Sequence, residues 1–172
     1  MARIKNSLFE EYVVKYGAAL SRLCFSLCRN EQDAADLYQE TWLKAYSSYD
    51  SHQVRDFEKW LYAICVNLFK DTYRRKLRAP QELRFDTNEH KDAFMASLPA
   101  EDEYEESDYG ALYAALDKIP EKLKTVVSLK YFSDLSCAEI AEVLGISVTA
   151  VTTRLSRAIK ALAREMNVER SV

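Results

Sequence analysis

A chain of 172 residues has room for one domain or two small ones, and 48% hydrophobic residues are enough for packed cores. Only 3 Gly and 3 Pro favour an all-helical protein, and a net charge of −3 is unpromising for a nucleic-acid binder taken whole. The charge is uneven: residues 1–80 carry +3, residues 81–109 carry −8 and residues 110–172 carry +2, so two mildly basic segments flank a strongly acidic one. Near the N-terminus, Glu10, Glu11 and Lys15 interrupt any apolar run, which excludes a signal peptide and a membrane span and points to the cytoplasm.

Residues 7–29 read as a first helix, with Leu8, Tyr12, Tyr16, Ala19, Leu23 and Leu27 on one stripe. Cys24 and Cys28 sit one helical turn apart, but no second Cys or His pair stands at zinc-site spacing, and His52 and His90 are isolated. Small buried thiols fit these residues, and no metal or cofactor is expected. After a polar break, Asn30-Glu31-Gln32, a second helix opens at Asp33 and ends near Tyr49. Ala34, Leu37, Thr41 or Trp42, and Ala45 form its apolar side, with Asp36, Gln39, Glu40 and Lys44 on the other.

Residues 50–56 form a polar loop. A third helix starts at about Phe57, with Phe57, Trp60, Leu61, Ile64 and Leu68 as its core stripe. Arg74, Arg75, Lys76 and Arg78 close it as a basic cluster, which suits either the helix dipole or a bound phosphate. Residues 80–108 contain Pro80, Pro99, many acids and no sustained periodicity, as a linker does. Leu112, Ala115, Leu116 and Ile119 then mark a short helix, and Pro120 starts another in which Leu123, Val126, Val127 and Tyr131 are the apolar positions.

The stretch Ser136 to Leu162 reads as a helix-turn-helix. Ser136 with Glu139 makes a capping box, and Gly145 allows the left-handed backbone that ends the first helix. Ser147 caps a second helix whose apolar face is Val151, Leu155, Ala158 and Leu162. Its other face carries Thr149, Thr152, Thr153, Ser156, Arg157 and Lys160, flanked by Arg154. Short hydroxyls reach base edges or phosphates and the cations neutralise the backbone, as a recognition helix requires.

Two runs, DAADLYQETW with FEKWLYAICVNLFKDTYRR, and ALDKIPEKLKTVVSLKYFSDLSCAEIAEVLGISVTAVTTRLSRAIKAL, resemble the second and fourth conserved regions of bacterial sigma factors. With only these two regions and a short linker, the chain resembles the extracytoplasmic-function (ECF) class. The resemblance implies two small helical domains, residues 1–79 and 109–172, joined by the acidic linker 80–108. It also implies a non-enzymatic subunit that binds core RNA polymerase, directs it to promoter DNA and helps open the strands, held in check by an anti-sigma factor that is commonly membrane-bound.

On the matching positions, Asp36, Gln39 and Glu40 belong to the helix that docks on the polymerase clamp. Trp42 shares the motif and reads as half core. The loop 51–56 and the start of the third helix engage the promoter element near the start site. The candidates there are His52, Gln53, Val54 and Arg55, with Tyr62, Asn67, Lys70 and Arg74 along the helix. Opening a duplex needs a base captured once it leaves the stack, and one aromatic platform returns roughly 1–3 kcal/mol per base. Thr152, Thr153, Arg154 and Arg157 are the positions that family members turn toward the farther element, and Thr149 and Lys160 share the polar face with them. Thr152 and Ile159 stand where the family often has a basic residue, which predicts a shallow salt dependence and makes a bidentate arginine–guanine contact less available.

The −8 segment suggests a linker that threads a basic channel of polymerase, or a spacer that only separates the domains. No nucleophile–base set or Gly-rich phosphate loop appears, so neither an enzyme nor a small-molecule substrate is expected. A stand-alone helix-turn-helix regulator is the competing reading; it explains the C-terminal unit but not the DAADLYQETW helix.

Overall fold

The structure, a computed structural model, describes residues 2–28, 30–49, 54–78 and 106–170, which form seven helices and no strand. The charge-rich segment 80–105 and the loop residues His52 and Gln53 lie outside the described residues. Three long helices come first: α1 (Ala2–Leu27), α2 (Glu31–Ser48) and α3 (Phe57–Arg78). Four follow: α4 (Glu106–Lys118), α5 (Glu121–Val127, continued by a π-helical turn Ser128–Phe132), α6 (Cys137–Leu144) and α7 (Val148–Arg170).

Helix α1 starts five residues earlier than periodicity predicts. Its extra turn is held from α2: the Tyr46 hydroxyl donates to Asn6 Oδ1 at 2.6 Å and Lys5 lies over the Tyr46 ring. Helix α2 likewise starts at Glu31, because the expected break contains its cap. The Asp33 N–H donates to Asn30 Oδ1 at 2.8 Å, and Asn30 Nδ2 donates back to Asp33 Oδ2 at 3.1 Å. This satisfies an amide that the first turn of any helix leaves orphaned.

The three helices close on an aromatic centre. Phe57 stacks on Tyr12 at 4.0 Å and meets Phe9 and Trp42, so the first residue of α3 is clamped between α1 and α2. Gly17 lies where a Cβ would stand 3.1 Å from the Tyr38 hydroxyl, which keeps α1 and α2 close. At the other end Cys24 Sγ lies 3.7 Å from Cys65 Sγ. Burial pushes the Cys24 thiol well above its usual range, so it behaves as a small apolar side chain.

In α3 the buried stripe is rotated from the expected one. Phe57 and Leu61 are buried as predicted, but Tyr62, Cys65, Val66 and Phe69 fill the interior while Trp60, Ile64 and Leu68 are only half-buried. The reason is a second contact: α3 packs on α1 and α2 and also beneath α6, so its buried arc widens toward Tyr62. Tyr131 is a second correction. It is 62% exposed, because the π turn takes up one extra residue and shifts the helical phase by about 100°. Asp134 then takes a left-handed φ of 56°, which a short polar side chain tolerates, and the chain reverses into α6.

Candidate functional site

The helix-turn-helix is built from its caps. Ser136 Oγ accepts the Glu139 N–H at 3.2 Å, and the Glu139 carboxylate accepts the Ser136 N–H at 2.8 Å. The Ser136 N–H bond first, and then the Ser136 hydroxyl beside it, hold the Glu139 carboxyl below its ordinary pKa. Gly145 ends α6 at φ 64°, and the Ala150 N–H donates to Ser147 Oγ at 3.1 Å to open α7. In α7, Val151, Leu155, Ala158 and Leu162 are buried. Thr149, Thr152, Thr153, Arg157 and Lys160 are exposed, and Arg154 is half-buried at the edge of this face. The Thr152 hydroxyl donates to the Thr149 carbonyl at 3.0 Å, so it presents lone pairs rather than a proton to a ligand. A face of hydroxyls and cations on a rigid, capped helix is suited to a DNA groove.

On α3, Asn67 and Arg74 are exposed and Lys70 is half-buried; their spacing of three and four residues puts them on one stripe. Arg74 lies 4.0 Å from Asp71, a weak pairing that leaves its guanidinium available. Ahead of the helix, Arg55 is exposed and Val54 packs against the core. Tyr62 does not line this face. It is fully buried, its hydroxyl donating to Glu58 at 2.9 Å, and burial raises its pKa. A phenol enclosed in this way offers no platform to a base, so the sequence expectation for Tyr62 is corrected.

On α2, Asp36 and Glu40 are exposed and Gln39 is half-buried; Trp42 is buried behind them, 5.7 Å from Phe9 in edge contact. Sequence reasoning missed Leu43, which is 63% exposed. It stands four residues after Gln39 and three after Glu40, so it continues their stripe. The signal was present: a leucine on the polar side of an amphipathic helix is out of place unless something covers it. An apolar groove of about 380 Å³ lies between α1 and α2, lined by Asn6, Phe9, Glu10, Val13, Val14 and Tyr46. Among the described residues no group of His, Cys, Asp or Glu is placed to hold a metal ion, and no helix is long and apolar enough to cross a membrane.

The sequence matches the family patterns for Sigma-70 region 2 over residues 12–79 and Sigma-70 region 4 over residues 109–162. It is 35% identical to the RNA polymerase sigma factor SigV of Bacillus subtilis over 149 residues, covering 86% of this chain and 84% of that protein. It is 31% identical to the ECF RNA polymerase sigma factor SigW of the same organism, covering 92% and 88%. The fold is similar to that of the sigma factor RpoE in its complex with the anti-sigma factor NepR from Bartonella quintana. That match has a TM-score of 0.72 at 22% identity and covers 93% of this chain and 97% of that one. CnrH in complex with the cytosolic domain of CnrY superposes with a TM-score of 0.67 at 25% identity, covering 95% and 90%. With both sigma regions present in order, and with relatives matched along most of their length, the chain belongs to the ECF RNA polymerase sigma factors.

Proposed function

We propose that the protein works as a promoter-specificity subunit with three separate surfaces. The stripe Asp36–Gln39–Glu40–Leu43 on α2 docks on the clamp of core polymerase, where carboxylates and an amide meet a basic surface around one apolar anchor. Arg55, Asn67, Lys70 and Arg74, with the loop residues His52, Gln53 and Val54, take the promoter element near the start site. Thr149, Thr152, Thr153, Arg154, Arg157 and Lys160 take the farther element. In this reading residues 1–79 and 109–172 act as the two working units and residues 80–108 as the acidic linker. The protein acts in the cytoplasm and carries out no bond chemistry itself. An anti-sigma partner, of the kind that NepR is to RpoE and CnrY to CnrH, restrains it.

The observation that carries this reading is the α2 stripe. A stand-alone regulator has no use for a conspicuous acidic-amide face with an exposed leucine on a helix remote from the helix-turn-helix. Run-off transcription with core polymerase on a library of promoter fragments tests it, with a Gln39→Ala, Glu40→Ala double variant alongside. Specific transcripts from the wild type that fall at least tenfold in the variant are expected, about 1.4 kcal/mol of docking energy. A folded protein that neither binds core nor yields transcripts, yet shifts promoter DNA alone, would make it a stand-alone regulator.

A further inference from the structure

The outward side of α7 is divided along its length. At roughly 100° per residue, Val148, Ile159, Thr152 and Ser156 fall within an arc of about 80° beside the buried stripe. Lys160, Arg157 and Arg154 lie further round, with Thr149 and Thr153 between the two groups. Val148, Thr152, Ser156 and Ile159 are all exposed, so this arc offers methyl groups and hydroxyls but no charge. A single apolar side chain on a surface needs no partner. Val148 and Ile159, however, stand in line with Thr152, and Val148 opens the helix that is read as entering the groove.

Thr152 adds a constraint of its own. Its hydroxyl donates to the Thr149 carbonyl at 3.0 Å, so its proton is committed within the helix and its oxygen offers lone pairs alone. Such an oxygen binds an amine and is repelled by another acceptor. In the major groove guanine presents N7 and O6, both acceptors, whereas adenine and cytosine each present an amine. Cytosine pairs with guanine and brings no methyl group. Adenine pairs with thymine, whose methyl suits the apolar side chains in line with Thr152. The cations on the opposite edge are placed to hold phosphates while this edge lies over the base pairs. We propose that Thr152 selects an adenine amine in the farther promoter element, with Val148 against a thymine methyl beside it. This edge of α7 thus reads A·T pairs where an arginine at position 152 would read G·C. The selection rests on the reading of α7 as the surface for the farther element, and names the bases that surface takes.

The test uses the full chain with core polymerase, which selects bound fragments from a promoter library randomised across the farther element. The wild type should enrich an A·T pair over G·C about tenfold at one position. Thr152→Arg should turn that position, and no other, to G·C, because a bidentate arginine supplies the donors that guanine accepts. Changes to single groups on the DNA then separate the two contacts. Purine in place of the adenine removes only the amine; it should weaken wild-type binding about three- to tenfold and leave Thr152→Val unaffected. Deoxyuridine in place of every thymine of the element removes only methyl groups; it should weaken the wild type about threefold and leave Val148→Ala unaffected. A wild type that enriches G·C at the position Thr152→Arg alters, or variants that lose as much as the wild type, overturn the inference. So does a farther element that Thr152→Arg leaves unchanged. In that case enrichment lost with Arg154→Ala, Arg157→Ala keeps α7 as the reading surface and gives the choice of base to other residues. A wild type that enriches no farther element at all sinks the reading of α7 along with the role of Thr152.

Discussion

Helices α3 and α7 are nearly equal in length and both carry candidate DNA contacts, yet they are built in opposite ways. Helix α7 packs chiefly on α4, α5 and α6 of its own half, and buries one narrow side, at Val151, Leu155, Ala158 and Leu162. Helix α3 is packed from two directions and buries a wide arc from Phe57 to Phe69 that includes Tyr62. A helix packed chiefly by its sequence neighbours keeps the face that periodicity assigns to it. A helix that also packs against the other half loses part of that face to a contact whose origin lies far away in the sequence.

The largest effect that can break this comparison is at Tyr62. As an interior residue, Tyr62→Ala should cost roughly 3–5 kcal/mol in urea unfolding, in the range of large aromatic truncations, while Tyr62→Phe loses only the bond to Glu58. A cost under about 0.5 kcal/mol for the alanine, the level of an ordinary surface change, would return Tyr62 to the surface. On α7, Arg154→Ala with Arg157→Ala should reduce run-off transcripts at least tenfold, about 1.4 kcal/mol, while core binding stays intact. Parallel loss of core binding would mean that α7 does more than read DNA. Smaller effects sharpen the account of how α7 is aimed. Gly145→Ala should cost about 1 kcal/mol through its left-handed backbone alone, since no atom lies within 4 Å of the added methyl. Ser136→Ala should cost about 1 kcal/mol as a lost cap.

The smallest expected effect is in pH. The Glu139 carboxyl is held below its ordinary pKa of 4.5 in the folded chain, so its contribution is complete above that value and is lost as pH falls through the lower folded pKa. Glu139→Gln should therefore lower stability at pH 7 and flatten its fall below about pH 4.5. Identical acid limbs for variant and wild type would remove Glu139 from the box.

Local features were legible and distant ones were not. Ser136, Glu139, Gly145 and Ser147 announce their caps within four residues of chain, and the structure places each where its chemistry predicts. Asn30 carried the same kind of signal but reads as a break when the polar run is taken whole; the reciprocal bond to Asp33 is what makes it a cap. The exposed stripe of Asp36 and Glu40 followed from periodicity, because α2 packs chiefly on its sequence neighbours α1 and α3. Tyr62 and Lys124 did not. The lysine reaches a carbonyl 97 residues away, and nothing near it in the sequence distinguishes it from a solvated cation. Leu43 fell between the two cases, visible as an anomaly without any local partner to explain it.

The π turn at Ser128–Phe132 has a consequence for insertions and deletions. Its extra residue sets the angle at which everything after it leaves the bundle. Removing one residue from this turn would restore ordinary helical phase and turn the following chain back by about 100°. Tyr131 would swing inward and the whole of α6 and α7 would be carried around the α5 axis with it. A single-residue deletion elsewhere in an exposed loop moves a loop; here it would re-aim the recognition helix without altering a residue in it. Length at this point is as much a part of the helix-turn-helix as the side chains that read DNA.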